Sequence, residues 1–176
     1  MAASMTADMN NTDKIIPLKE DCIDLDIEIL QPCINHSFYD FFVQDSESIR
    51  YGLGAIKGIG ESAAEAITGE RLKKGDYKDF FDFCSRLSDQ KLSKRTIEAL
   101  IKSGAMDCFN ENRSTLFQSV ETGVNFANKK AMDRKSGQNN LFSIDGAQAE
   151  TPPNLNRGKE WKLNDFLQGE FQSLGF

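Results

Sequence analysis

The spacing of apolar and polar positions predicts a small β portion in the first third of the chain. Residues 23–30 alternate apolar and acidic side chains with a period of two, which is typical of a half-buried strand with one face in water. Two apolar runs, 39–43 and 48–53, then flank a short polar segment and predict a β-hairpin. The β portion is therefore expected near residues 27–52.

The residues before this β portion give a weaker pattern. Apolar residues between Asp13 and Cys22 recur at helical spacing and predict a short amphipathic helix. Pro17 is expected in the first turn of this helix, where a proline is tolerated. Residues 1–12 are small and polar, and they predict no complete element of their own.

After Gly52 the pattern becomes helical, and most of the predicted helices begin at a recognisable cap. Caps are expected from Asp79, Ser93 and Asn112, whose side chains can accept hydrogen bonds from helix N–H groups. The predicted helices cover residues 61–72, 80–87, 94–103 and 113–127, and the charged residues after 127 are expected to fray. The sequence thus predicts a mainly α fold with a helical domain and a small β portion.

Composition narrows the class of protein. The 176 residues are 39% hydrophobic and 27% charged, as in soluble globular proteins, and no apolar run of about 18 residues exists to span a bilayer. The N-terminus lacks the basic and apolar regions of a signal peptide. The four cysteines are scattered without a CxxC pair, and the single histidine excludes a metal site built on two imidazoles. We therefore expect reduced thiols and a cytoplasmic protein without a membrane partner.

The net charge of −6 conceals a basic middle segment. Residues 1–49 carry 2 basic and 10 acidic side chains, a net charge of −8, whereas residues 50–103 carry 11 basic and 8 acidic ones, a net charge of +3. Binding to a polyanion depends on the local field and not on the total charge. The acidic total therefore does not exclude a nucleic-acid partner for the middle of the chain.

The segment LGAIKGIGESAAEAI, residues 53–67, has the pattern of a helix-hairpin-helix. Gly58 and Gly60 permit a positive φ and leave no Cβ that would hold a phosphate away, and Ile59 between them anchors the turn in the core. Backbone N–H groups and the N-terminus of the next helix then offer a site for one phosphate, beside which Lys57 adds a positive charge. We therefore predict that Lys57, Gly58, Ile59 and Gly60 bind DNA phosphate without reading sequence.

An alternative to phosphate binding stays open for this turn. A Gly-Ile-Gly segment also forms an ordinary tight turn between helices, and Glu61 in the first helical turn competes for the same N–H groups. A related turn at residues 100–107 lacks the second glycine, and we interpret it as structural.

Gln138, Leu141 and Phe142 stand together in a segment of linker composition that follows the helices. One amide and two apolar anchors on a flexible peptide are suited to a preformed groove on a partner protein. The alternative is that Leu141 and Phe142 fold back on their own domain.

Several segments, in their order along the chain, resemble the bacterial replicative DNA polymerase III alpha subunit family. They are TADMNNTDKI, SIRYGLGAIKGIGESAAEAI, FFDFC, LSKRTIEALIKSGAMD, GQNNLF and GEFQSLGF. The resemblance implies an internal fragment of a larger polypeptide. It implies a fingers-like end with short strands at 1–49, a helix-hairpin-helix DNA-binding domain at 50–135, a linker with a clamp-binding motif at 136–160, and the start of a following domain at 161–176.

The resemblance also implies a function, namely a non-catalytic part of a DNA-directed DNA polymerase, a nucleotidyltransferase of DNA replication. The turn at 58–60 would hold the backbone of primer-template duplex DNA, and Gln138, Leu141 and Phe142 would dock on the sliding clamp and so support processive synthesis. Other replicase subunits are expected partners, and the larger polymerase is expected to use Mg²⁺.

The chain itself offers no convergent set of catalytic residues. The acids of residues 23–30 are better explained as the solvated face of a strand than as metal ligands. The alternative function is a helical protein-interaction module without affinity for DNA.

Overall fold

The computed structural model describes residues 1–90, 92–135 and 151–175. These residues form eight α-helices and one small sheet, and so confirm the mainly α fold that the sequence predicts. The helices are α1 Ala2–Ala7, α2 Thr12–Asp24, α3 Glu61–Lys74, α4 Phe80–Arg86, α5 Lys94–Lys102, α6 Arg113–Gln118, α7 Val120–Lys135 and α8 Leu163–Leu174. Within these described ranges, no helix is long and apolar enough to cross a membrane.

The sheet has three strands, β1 Glu28–Leu30, β2 Phe42–Val43 and β3 Ser48–Arg50. Strand β3 is central and pairs antiparallel with β2 and parallel with β1. The antiparallel pair confirms the predicted hairpin. The parallel pair joins residues that an intervening loop separates, so no local sequence pattern indicated it.

The predicted strand at residues 23–30 is wrong in its first half. Helix α2 continues to Asp24, and the chain turns at Asp26, with a φ of 54°, before β1 begins. Ile23 and Leu25, which the alternation assigned to a buried strand face, are 65% and 61% exposed. The acids of this stretch therefore do not line one face of a strand.

The first residues also differ from the prediction. Residues 2–7 form helix α1, and its Met5 side chain is completely buried. Pro17 lies in the second turn of α2 and not in the first, because α2 begins at Thr12 with Asn11 as its cap. Proline removes one intrahelical hydrogen bond there, and the helix continues through it.

The long helix predicted from Asn112 is divided into α6 and α7 at Ser119. The Ser119 hydroxyl donates to the Thr115 carbonyl at 2.7 Å and accepts from the backbone N–H of Asn156 at 2.8 Å. The Asn156 side chain also donates to the Gln118 carbonyl at 3.0 Å. The residue that ends α6 is therefore held by an extended segment from much later in the chain. Helix α7 then continues to Lys135, past the position where fraying is predicted.

Aromatic side chains join α4 to α7 in the core. Phe80, Phe81 and Phe83 are all buried, and the Phe81 ring meets the Phe126 ring edge to face at a centroid distance of 5.6 Å. The helices approach closely at Gly123, where a Cβ atom would lie 2.6 Å from Phe80 Cε1. Ile59 of the turn at residues 57–61 belongs to the same hydrophobic core as these phenylalanines.

Candidate nucleic-acid interface

The predicted hairpin turn is tight and is anchored from inside. Gly58 has a φ of 92°, a backbone conformation that favours glycine. Ile59 is 6% exposed, and its N–H donates to the Ile56 carbonyl at 3.0 Å. Gly60 has a φ of −83° and caps helix α3. Only Gly58 therefore needs the conformational freedom of glycine, while the value of Gly60 lies in its missing side chain.

The N-terminus of α3 has no protein cap. Among the described residues, no acceptor receives the N–H groups of Gly60, Glu61 and Ser62. Apart from its two chain neighbours, no atom lies within 4 Å of a Cβ built on Gly60. The first N–H groups of a helix carry a partial positive charge and point outward along its axis. These amides can therefore bind an anion that approaches from solvent.

Glu61 does not occupy these amides. It is exposed in the first turn of α3, and within the described part of the chain its carboxylate accepts no hydrogen bond from them. Its negative charge still lowers the local potential, so the competition predicted from the sequence is electrostatic and not steric.

Lys57 links the turn to the C-terminal end of α8. Its backbone N–H donates to the Ser173 carbonyl at 2.8 Å. Its Nζ atom would lie 3.0 Å from a Cβ atom placed on Gly175, which caps α8. A cation is stabilised at a helix C-terminus. The Lys57 side chain is exposed there, at the rim of the turn.

Helix α5 supplies a second basic side chain on the same side of the molecule. A Cβ atom on Gly58 would lie 3.8 Å from the Cβ atom of Ala99. Arg95 is one helical turn before Ala99, so both occupy the same face of α5, and Arg95 is exposed. By contrast, Lys94 pairs with Glu121 at 3.0 Å.

Several basic residues that make the middle of the chain positive serve the fold instead. Arg71 is 6% exposed and donates to the carbonyls of Ile34 and Ser37 at 2.6 and 2.9 Å. Arg86 donates to the Gly75 carbonyl at 2.8 Å and stacks on a tyrosine ring. Lys73 lies in the last turn of the 14-residue helix α3, roughly 20 Å from its first turn. Lys57 and Arg95 are therefore the exposed basic side chains that we assign to the turn.

The related turn at residues 100–107 has the structural role that the sequence indicates. Gly104 has a φ of 81°, and a Cβ atom there would collide with the Arg113 guanidinium. Arg113 is buried and donates to both carboxylate oxygens of Asp107, at 2.9 and 2.6 Å. Protein side chains therefore cover this turn, and it is not a second anion site.

The predicted clamp-binding residues Gln138, Leu141 and Phe142 lie outside the described residues. Within residues 1–90, 92–135 and 151–175, no three histidine, cysteine, aspartate or glutamate side chains are grouped as a metal ion requires.

Comparison with known proteins agrees with the pattern of the turn. A family model described as a helix-hairpin-helix motif matches residues 26–116. The chain is 40% identical over 178 residues to the DNA polymerase III subunit alpha of Xylella fastidiosa (strain Temecula1), with 99% of this chain and 15% of that protein covered. It is 39% identical over 179 residues to the DNA polymerase III subunit alpha of Escherichia coli (strain K12), with the same coverage.

The resemblance derived from the motifs is thereby confirmed, although the chain spans about 15% of the length of these relatives. The family model covers just over half of the chain, from Asp26 to Leu116, and includes the whole turn and helix α3. The chain belongs to the helix-hairpin-helix motif family.

Proposed function

We propose that this chain binds the sugar-phosphate backbone of duplex DNA through the turn at residues 57–61, as part of a replicative DNA polymerase. The observation that carries the proposal is the uncapped N-terminus of α3, where three amides face solvent beside a glycine with open space around it. Both relatives named above are DNA polymerase III alpha subunits, which supports the same function.

The proposed contact is electrostatic and independent of sequence. The amides of Gly60, Glu61 and Ser62 receive one phosphate, and Lys57 and Arg95 neutralise charge beside it. Each neutralised phosphate releases condensed counterions, so the logarithm of the binding constant falls with the logarithm of the salt concentration with a slope of about −0.9 per phosphate contact. Binding by this chain is therefore expected to be weak and strongly dependent on salt.

Gly60→Asp tests the amide site without unfolding the turn. Aspartate accepts the φ of −83° and is a better N-cap than glycine, so helix α3 is stabilised while its amides are occupied by a carboxylate. Gly69→Asp is the matched control, because the change in charge is the same and Gly69 lies on the same helix. Apart from its own helix backbone and chain neighbours, no atom lies within 4 Å of a Cβ built on Gly69.

Affinity for a short duplex of arbitrary sequence is measured by fluorescence anisotropy over a salt series. We expect Gly60→Asp to bind at least about tenfold more weakly than Gly69→Asp, since hydrogen bonds to a charged group are lost. Equal affinity of the two variants for DNA would contradict phosphate binding by the amides of residues 60–62.

The two basic side chains have a separate test. Lys57→Gln and Arg95→Gln should each reduce the steepness of the salt dependence by about one unit. Lys73→Gln removes the same charge at the far end of α3 and should leave the slope nearly unchanged. A uniform response of all three variants would indicate that the net charge, and not the turn, determines binding.

Clamp docking is the second part of the proposed function. Gln138, Leu141 and Phe142 supply one amide and two apolar anchors, and this pattern supports insertion into a groove on the sliding clamp. Tethering to a ring around DNA raises the effective concentration of the polymerase at the primer terminus. Replacement of all three residues with alanine should abolish capture by the clamp, whereas replacement of Asn139 and Asn140 should not. Capture that survives the triple replacement would contradict this assignment.

The activity of the whole polymerase is proposed on the relatives alone. Nucleotidyl transfer, the use of Mg²⁺, contact with other replicase subunits and a cytoplasmic location would belong to the larger polypeptide.

One surface favours a protein partner as well. Leu163, Leu167 and Phe171 recur at every fourth position of α8 and are 70%, 51% and 61% exposed. Exposed apolar residues in one row are typical of protein contacts. If the chain showed no salt-dependent affinity for duplex DNA, a helical interaction module would be the better description.

A further inference from the structure

Two thiols from distant parts of the sequence meet at one point of the fold. Cys33 lies in the loop after β1, and Cys108 lies in the 3₁₀ turn Asp107–Phe109. The side-chain amide of Asn35, two residues after Cys33, donates to Cys108 Sγ at 3.8 Å. Both cysteines are half-buried and reduced.

The backbone around these thiols is held in place. The Ile34 N–H donates to the Ala105 carbonyl at 2.9 Å and joins the two segments next to the cysteines. The Cys33 N–H donates to the Ser37 hydroxyl at 3.0 Å, and the Ser37 N–H donates back to the Cys33 carbonyl at 2.7 Å. These hydrogen bonds hold the loop that carries Cys33 against the segment that leads to Cys108.

The surroundings favour a thiolate at Cys33. The hydrogen bond from Cys108 lowers the pKa of the Cys33 thiol against the opposing effect of burial, and the Asn35 N–H and the charges of His36 and Arg50 lower it further. The hydrogen bond to Cys33 and burial raise the pKa of Cys108, so Cys108 keeps its proton. A thiolate with cations nearby and access to solvent is the nucleophilic form of cysteine.

We propose that Cys33 and Cys108 form a redox-active dithiol site that reacts with small disulfides of the glutathione class. The Cys33 thiolate attacks one sulfur of oxidised glutathione, forming a mixed disulfide and releasing one glutathione thiolate. Cys108 then loses its proton to solvent and attacks Cys33 Sγ, which forms the Cys33–Cys108 bond and releases the second glutathione thiolate. Starting from the Cys33 thiolate, the protein loses two electrons and the Cys108 proton. One oxidised glutathione is reduced to two glutathione thiolates, which become two glutathione molecules by taking up one proton released from Cys108 and one from solvent.

The other two cysteines provide internal controls. Cys22 is completely buried and Cys84 is 5% exposed. Burial raises the pKa of Cys22, and it raises the pKa of Cys84 to about 12. Neither thiol is both ionised and accessible at neutral pH, so neither should react with the same reagent.

The first experiment needs no substitution. The whole chain is incubated under native conditions with oxidised glutathione, free thiols are alkylated, and peptides are mapped by mass spectrometry. We expect a Cys33–Cys108 disulfide, with the protein lighter by two hydrogen atoms, and alkylated Cys22 and Cys84 after denaturation. Free Cys33 and Cys108, or stable glutathione adducts without the internal bond, would overturn the proposal.

Single substitutions separate the two roles, with folding checked by far-UV circular dichroism. Cys108→Ser should accumulate the mixed disulfide on Cys33, because no second thiol resolves it. Cys33→Ser should slow reaction of the chain with glutathione disulfide at least about tenfold, since the thiol that remains is largely protonated. Cys84→Ser should react as the unchanged protein does. If Cys33→Ser reacted at the unchanged rate, Cys33 would not be the nucleophile.

Discussion

Two arginine–carboxylate pairs of equal length differ greatly in burial. Arg113 Nη2 lies 2.6 Å from Asp107, and Arg157 Nη1 lies 2.6 Å from Glu111. The Arg113 side chain is 4% exposed, whereas that of Arg157 is 72% exposed. Replacement of each arginine by alanine therefore tests whether burial or distance determines the contribution of an ion pair to stability.

The structure indicates a large effect for Arg113. Its guanidinium also donates to Glu170 at 3.0 Å and to the Lys102 carbonyl at 3.1 Å, and it stacks on the Phe166 ring at 4.0 Å. Removing one partner of a buried pair costs about 3–5 kcal/mol. The side chains of Asp107 and Glu170 are 40% and 21% exposed and can regain water, so we expect a loss of about 2–4 kcal/mol. For Arg157→Ala, an exposed pair predicts a loss of about 0–1 kcal/mol.

Urea unfolding measures both losses. The only tryptophan, Trp161, packs edge to face on Phe117 at 5.7 Å and lines the same cavity as Arg113, so its fluorescence reports on this region. A lower midpoint with an unchanged slope indicates a change in stability alone. The reasoning is refuted if the two variants lose the same stability, because burial would then not be the determining factor.

Two further predictions concern the turn and the acid side of the stability profile. Gly58→Ala should lower the free energy of unfolding by about 1–2 kcal/mol, because the φ of Gly58 is 92°. Gly60→Ser should raise it by a few tenths of a kcal/mol, because serine is the better N-cap. Urea midpoints of the two variants that shift in the same direction would contradict this prediction. Hydrogen bonding to Lys74, and then to Arg86, lowers the pKa of Glu70 below its usual value of 4.5. The contribution of Glu70 to stability is therefore present above pH 4.5 and is lost as the pH falls through the lower pKa of the folded state. The difference in stability between the unchanged protein and Glu70→Gln should therefore shrink between about pH 6 and about pH 3, and a constant difference would exclude Glu70 as an acid-sensitive group.

The helices that begin at a local cap could be predicted from the sequence. The Asp79 carboxylate accepts from the Asp82 N–H at 2.8 Å, and the Ser93 hydroxyl accepts from the Thr96 N–H at 3.1 Å. Each of these hydrogen bonds joins residues three positions apart, so the information lies within one helical turn. For the same reason the end of α3 at Gly75, where φ is 78°, was predicted to within two residues.

The elements that were missed depend on distant contacts. Ser119 ends α6 while it accepts a hydrogen bond from Asn156, which no local pattern could indicate. Strand β1 pairs with β3, from which it is separated in sequence by an intervening loop. The alternation of apolar and acidic residues led us to predict a strand that begins at residue 23, but residues 23 and 24 belong to α2. Short apolar and acidic alternations fit either element, so the packing of the surrounding chain decides between them.

The candidate site was likewise predicted only in the features that local residues determine. The glycine at 58 and the buried Ile59 follow from the motif, but the basic character of residues 50–103 does not describe the surface. Arg71 and Arg86 add two positive charges to that block, yet both bind backbone carbonyls within the fold. A count of charges along the sequence includes such residues, whereas the field that a phosphate meets depends on which side chains remain in solvent.

The turn also divides its backbone amides between folding and binding. The Lys57 N–H is bound by the Ser173 carbonyl of α8, and the Ile59 N–H by Ile56, while the amides of Gly60, Glu61 and Ser62 stay open toward solvent. Ser173 lies beyond the residues 26–116 that the family model covers, so a segment outside the motif fixes one end of the turn. In a shorter chain without α8 the turn would lose this hydrogen bond, and the measured affinity for DNA would be that of a less ordered turn. Experiments on the phosphate site should retain α8 for this reason.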